Sequence, residues 1–308
     1  MTGKYFNLFV LLPGLILLPL LQGQTIIRWD AASSTELPDW LGFQNPSAKL
    51  LQKEGIDGCL EFSPESRMIR LAPFPIQSQR QYRLRFTAWL DDRFTVEHHD
   101  RAHIKTLQGL HRPSSFEMQF FDGNKQEKRI PGYREGGFLL TAEPYEYVHE
   151  FFAPEGSVSV QISFLPNGIR TFLSKLSLSQ LPESNVINCN PDLSFGELNY
   201  CGWRPARDGR LYQLPDGKAI FYSGYGGMSG IFPLQEGKQY KAVGMGRGRP
   251  NLTYLNAEGK TINSRFLFEL KSGAENQAEF TPPPGTSYGR IVSYNVWLES
   301  LKIIRLAE

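Results

Sequence analysis

The sequence predicts an all-β protein, two tandem antiparallel β-sandwich domains behind a signal peptide. Three observations carry this: hydrophobicity alternates with a period of two, turn residues separate the alternating segments, and the chain repeats itself. Of 308 residues, 29 are Gly, 21 Pro, and 21 Phe, 13 Tyr and 5 Trp supply the aromatic share. That composition suits short strands and many turns better than helices. The 33 Lys and Arg against 31 Asp and Glu leave a formal charge of +2. With no long basic run, a general nucleic-acid binder is excluded, because it needs a basic face to neutralise phosphates. The length leaves room for two domains, each able to bury a core.

Residues 1–24 read as a secretory signal peptide. Lys4 precedes an apolar run from Leu8 to Leu21, broken by Pro13, Gly14 and Pro19, and the polar Gln22-Gly23-Gln24 follows. The run is short of the roughly 20 apolar residues of a membrane-spanning helix, and an uncleaved N-terminal anchor is the alternative. No second apolar segment follows, so the mature chain is expected to be secreted, periplasmic or held at the cell surface, with no membrane span. In an oxidising compartment thiols pair. Cys189 and Cys201, 12 positions apart, are the expected disulfide. Cys59, in the strand-like Gly58-Cys59-Leu60-Glu61-Phe62, reads as a buried free thiol.

The internal repeat sets the domain organisation. Phe74-Pro75-Ile76-Gln77-Ser78-Gln79-Arg80-Gln81-Tyr82-Arg83 aligns with Phe232-Pro233-Leu234-Gln235-Glu236-Gly237-Lys238-Gln239-Tyr240-Lys241 at an offset of 158, five of ten positions being identical. Asp57-Gly58 upstream matches Asp216-Gly217, and Glu150-Phe151 to Gly156 matches Glu279-Phe280 to Gly285. The closing stretches 173–178 and 298–303 correspond as well. The landmarks keep their order, which predicts two copies of one domain, 25–181 and 186–308, joined at 181–185. The offset falls to 129 by the Pro-Gly landmark, so the first copy holds nearly 30 extra residues, expected as long loops in 91–115 and 127–137.

Within the copies, Tyr82 to Leu90, Phe116 to Phe120 and Val158 to Phe164 each alternate apolar and polar residues, as strands with one buried and one wet face do. Asp122-Gly123-Asn124 and Asn256-Ala257-Glu258-Gly259 fit hairpin ends. This pattern resembles the bacterial carbohydrate-binding-module jelly roll of the galactose-binding-like superfamily. The resemblance is carried by Asn190-Pro191-Asp192-Leu193-Ser194-Phe195, Gly202-Trp203, the Phe-Pro-x6 segments leading into Tyr82 and Tyr240, and the Pro-Gly turn before each closing strand. It covers most of both copies, although the first lacks a clear Asn-Pro-Asp opening. It implies a sandwich that binds glycans without catalysis, with a structural calcium ion as a further implication.

Several residues are candidates for a site. The wet face of 82–90 presents Arg83, Arg85, Thr87 and Trp89 in a row. An indole packs on the C–H face of a sugar while guanidinium donors reach hydroxyl, uronate or sulfate groups. The competing reading covers Trp89 with the neighbouring loops. Tyr133, Tyr222, Tyr225 and Trp203 are aromatic residues expected in turns, as binding loops or as wet caps of the core. His99 and His103, spaced i, i+4 beside Asp100, are weak candidate metal ligands that lack a fixed third. The glycines of 244–248 permit close approach by a ligand or another backbone. Without a following helix or Lys-Ser/Thr they do not make a phosphate loop. Gly226 to Gly230 lacks the spacing of a nucleophile elbow. Three functions follow: an exported, non-catalytic carbohydrate-binding protein, with anionic glycans as a candidate ligand class; a surface or matrix protein that makes protein contacts; and a metal-assisted, glycan-active enzyme.

Overall fold

The computed structural model describes residues 24–307, apart from 42–47, 54–55, 92–113, 129–134, 140, 197–198, 200, 202, 204–209, 216–218 and 224–226. The apolar N-terminal run, His99, His103, Tyr133 and Tyr225 lie outside the described residues. Among the described residues no helix is long and apolar enough to cross a membrane, and helical structure is confined to two 3-10 turns at 31–33 and 39–41.

Among the described residues the first half contains twelve strands: β1 (Thr25–Asp30), β2 (Ala48–Lys53), β3 (Ile56–Phe62), β4 (Ile69–Arg70), β5 (Phe74–Pro75), β6 (Gln81–Leu90), β7 (Ser115–Phe121), β8 (Glu127–Lys128), β9 (Glu135–Phe138), β10 (Tyr145–Phe152), β11 (Ser159–Leu165) and β12 (Thr171–Gln180). One sheet runs β10-β6-β12-β3-β2, with β1 also on β12; the other runs β4-β11-β7-β8, with β5 on β11 and β9 on β7. All pairings are antiparallel. The alternation in the sequence becomes the core. Tyr82, Leu84, Phe86, Ala88 and Leu90 of β6 face inward, towards Phe116, Met118 and Phe120 of β7 and Val160, Ile162 and Phe164 of β11. The stretch 127–137 is not wholly loop, as its length had suggested, because β8 and β9 extend the second sheet within it.

The second half adds β13 (Arg210–Gln213), β14 (Ala219–Ser223), β15 (Gly227–Met228), β16 (Phe232–Pro233), β17 (Tyr240–Leu255), β18 (Thr261–Phe266), β19 (Asn276–Phe280) and β20 (Tyr288–Arg305). These form one continuous sheet, β13-β14-β20-β17-β18, because β17 and β20 are long enough to cross from one layer to the other. The start of β17 pairs with β19 and the end of β20, and its end pairs with β18 and the start of β20. Strand for strand, β19, β17, β20, β14 and β13 repeat β10, β6, β12, β3 and β2. In the same way β15 and β16, the start of β20, the end of β17 and β18 repeat β4 and β5, β11, β7 and β8. Thus β17 is the counterpart of β6 and β7 in one strand. It bends at Gly246 and Gly248, whose φ angles of +139° and +114° suit glycine. A Cβ on Gly246 would sit 2.1 Å from the Trp297 carbonyl oxygen. These glycines serve a backbone crossing between layers, which answers the question their sequence left open.

Local details repeat too. The Tyr82 hydroxyl accepts from the Gln77 N–H at 2.6 Å, and the Tyr240 hydroxyl from the Gln235 N–H at 2.9 Å. Tyr82 stacks on Phe151 and Tyr240 on Phe280, both at 5.5 Å. A bulge interrupts each central pairing at the same place, between Leu173 and Lys175 opposite β6 and between Met245 and Gly246 opposite β20, and the longer β17–β20 pairing has a second irregularity between Arg247 and Arg249. Each hairpin after β7 and β17 is closed by an Asx side chain: Asp122 Oδ1 accepts from Asn124 and Gln126, and Asn256 Oδ1 from Lys260.

Each half has its own hydrophobic core, and Phe152 of the first packs against that of the second. The segment after the linker seals the free edge of β10. Asn199 Oδ1 accepts from the Val148 N–H at 2.8 Å, Cys201 Sγ from the Glu150 N–H at 2.9 Å, and Asn199 Nδ2 donates to the Glu146 carbonyl at 3.0 Å. An open strand edge is a template for unwanted pairing, and this segment removes it.

Candidate functional site

The row on the outward face of β6 is formed as the alternation predicts, but it is not open along its length. Arg83 donates to Glu150 Oε1 through Nη2 at 2.6 Å and Nε at 3.0 Å, and its guanidinium lies 5.2 Å from the Phe195 ring centroid. The Glu150 side chain is only 5% exposed, and its Oε2 accepts from the Asn190 N–H. Arg83 therefore ties the two sandwiches together, with its Nε and Nη2 donors engaged by Glu150. Arg85 meets Glu146 at 3.8 Å on the surface. Thr87 is half-buried, in register with Glu146 and Lys175. Trp89 is half-buried too and stacks on Phe172 at 5.4 Å and 18°. The Arg83 end of this face is thus occupied by the chain itself.

The second sandwich offers a more open aromatic face. In β20 the residues Val296 and Leu298 point into the core, so Trp297 between them points out and is 43% exposed. Its neighbours across the sheet are Tyr222 on β14 and Arg247 on β17. The Tyr222 ring lies 4.5 Å from the indole, and Tyr212 of β13 stacks nearly parallel to it at 5.9 Å and 20°. Arg247 is exposed. Three rings and a guanidinium on four adjacent strands make a shelf: an apolar surface to pack on, bordered by donors. Tyr222 is thus a shelf residue, and it lies within a strand, not in the turn the sequence suggested. Trp203, expected at the surface, is 1% exposed and packs on Phe221 in the core. Sequence reasoning missed Trp297 and Tyr212 because it sought aromatic residues in turns. The signal was present in Tyr294-Asn295-Val296-Trp297-Leu298, where the large aromatic takes the wet phase of an alternating strand.

The three cysteines are free, so the bridge expected between Cys189 and Cys201 is not formed. Cys201 Sγ is instead engaged with the Glu150 backbone. Burial raises both thiols well above the usual range, and the nearby Glu150 carboxylate adds to the rise. Among the described residues no group of three or more His, Cys, Asp or Glu is placed to hold a metal ion, and no calcium site is assigned. Between the sandwiches lies a cleft of about 890 Å³ to which both contribute. Gln79 and Glu155 line it from the first, and Gln235 and Tyr288 from the second.

No family model matches this chain, and no curated protein does. Solved structures do resemble it. The N-terminal CBM22-1-CBM22-2 tandem domain of Paenibacillus barcinonensis Xyn10C is 12% identical, with 92% of this chain and 98% of that one covered and a TM-score of 0.32. The CBM22-1 xylan-binding domain from the same protein is 9% identical over 53% of this chain and 97% of its own, with a TM-score of 0.32. A carbohydrate-binding module of Cellvibrio mixtus lichenase 5A, in complex with cellotriose, is 10% identical over 51% of this chain and 98% of its own, at a TM-score of 0.30.

Proposed function

We propose that this chain is an exported, non-catalytic carbohydrate-binding protein and that its principal binding face is the shelf of Tyr212, Tyr222, Trp297 and Arg247. The observation that carries this reading is the exposed Trp297 indole, set on a sheet with two tyrosine rings on one side and Arg247 on the other. A pyranose has an apolar face of C–H groups and a rim of hydroxyls. An aromatic shelf receives the first, and tyrosine hydroxyls and a guanidinium reach the second. Holding the rings on strands fixes their geometry before the ligand arrives, which lowers the entropic cost of binding. Export rests on the apolar N-terminal run.

The test is affinity electrophoresis of the protein through gels holding neutral or anionic polysaccharides. Retardation on at least one polysaccharide, abolished by Trp297→Ala with the thermal midpoint preserved, is the expected result. A protein that runs unretarded in every gel would remove the carbohydrate reading and leave the shelf as a protein-contact surface.

A further inference from the structure

The cleft between the sandwiches joins a second cavity of about 460 Å³ beside the linker. The two share Gln79, Arg80, Phe152, Pro233 and Arg305 in their walls. Two guanidiniums therefore mark the junction. Arg80 pairs with Glu183 of the linker, a residue whose side chain is 75% exposed. Arg305, at the end of β20, is half-buried; its Nε is out of solvent without a hydrogen-bond partner, and no carboxylate pairs with it among the described residues. A half-buried charge lacking a counter-ion is costly, and an arriving anion relieves that cost. Away from the junction the character changes. Glu117, Glu127 and Glu135 line the larger cavity, beside Gln119 and Lys128. Carboxylates there repel a ligand charged along its length but accept hydrogen bonds from hydroxyl groups.

We propose that this cleft is a second binding site, for an oligosaccharide that ends in a uronate. Its carboxylate is held at Arg80 and Arg305, and the hydroxyls of the neutral sugars that follow reach Gln119, Glu127 and Lys128. Arginine suits the role because its planar fork meets a carboxylate with two parallel hydrogen bonds. The volume falls within the range of pockets that enclose small ligands. The site is made jointly by the two copies, so it deepens the carbohydrate-binding reading, on which it rests, by adding a requirement for charge at one end of the ligand.

The test uses the whole protein and two probes, a uronate-capped neutral oligosaccharide and the same compound with its carboxyl group reduced to an alcohol. Isothermal titration calorimetry should show the capped form binding about tenfold or more tightly than the reduced form. Arg305→Gln should erase that preference, Arg305→Lys should keep part of it, and Trp297→Ala should leave the preference in place. Equal affinity of the wild type for both probes, or a preference that survives Arg305→Gln, would overturn the proposal. If both probes bind equally and Trp297→Ala abolishes binding, only the uronate site falls. If neither probe nor any polysaccharide binds, the carbohydrate reading falls with it.

Discussion

The two sandwiches share strand order, the stacked tyrosine at the start of the central strand and a bulge at the same place in the central pairing, yet they differ at one outward cross-strand pair. Counted from that bulge, Trp89 and Phe172 in the first copy occupy the places of Arg247 and Trp297 in the second. In the first, an indole and a phenyl ring stack on each other, and the far end of the face is taken up by Arg83, Glu150 and Phe195. In the second, an indole stands in place of the phenyl ring, and its cross-strand partner is the exposed Arg247. Tyrosines flank that indole on the other side. The comparison teaches that the scaffold supplies a position for an aromatic ring, while its neighbours decide whether the ring is spent on packing or left exposed.

The difference in strand continuity gives the strongest way to break this comparison. Gly246 stands where the first copy has Ala88, six residues after the shared tyrosine. Ala88 continues a regular strand, whereas Gly246 has a φ of +139° and touches the opposite backbone. Gly246→Ala should destabilise the protein by about 3 kcal/mol or more, as strain and overlap combine. Ala88→Gly should cost only about 1 kcal/mol. Denaturant titrations measure both, and equal losses would remove the layer-crossing role given to the glycine.

A smaller effect tests whether the copies are alike where they seem most so. Tyr82→Phe and Tyr240→Phe each leave a partly buried backbone N–H without its acceptor, that of Gln77 and of Gln235. Each should cost about 1 kcal/mol by the same titration. The smallest effect separates the two hairpins. The backbone N–H of Gln126 holds the Asp122 carboxyl below its ordinary value, with Lys128 and the Asn124 N–H assisting, although burial opposes them. A depressed folded-state value means that Asp122 contributes stability above the ordinary aspartate range and loses it as the pH falls through the folded value. Asn256, its counterpart, has no charge to lose. Unfolding midpoints followed into acid should show a shallower decline in Asp122→Asn than in the wild type.

Much of this was legible in the sequence. The strand at 82–90, the strands around 116–120 and 158–164, the hairpin turns at Asp122 and Asn256, and the correspondence of Tyr82 with Tyr240 all follow from alternation, turn chemistry and repetition. What escaped depends on distance along the chain. Arg83 looks free in a strand pattern, because its partner Phe195 lies more than a hundred residues away. The glycines of 244–248 admit either a ligand or another backbone, because sequence does not show that the strand continues beyond the bend. Trp203 looks like a surface residue beside glycines and prolines, and only packing places it under Phe221. Trp297 sits in a readable alternation, but a tryptophan on the wet face of a strand becomes a candidate only when its neighbours across the sheet are known.

The most direct test is to determine dissociation constants for one polysaccharide that retards the protein, using the wild type, Trp89→Ala and Trp297→Ala side by side. The second-copy shelf predicts a loss of about tenfold or more for Trp297→Ala and a small change for Trp89→Ala, with both variants folded. A large loss in Trp89→Ala alongside an unchanged Trp297→Ala would contradict it and move the binding face to the first sandwich.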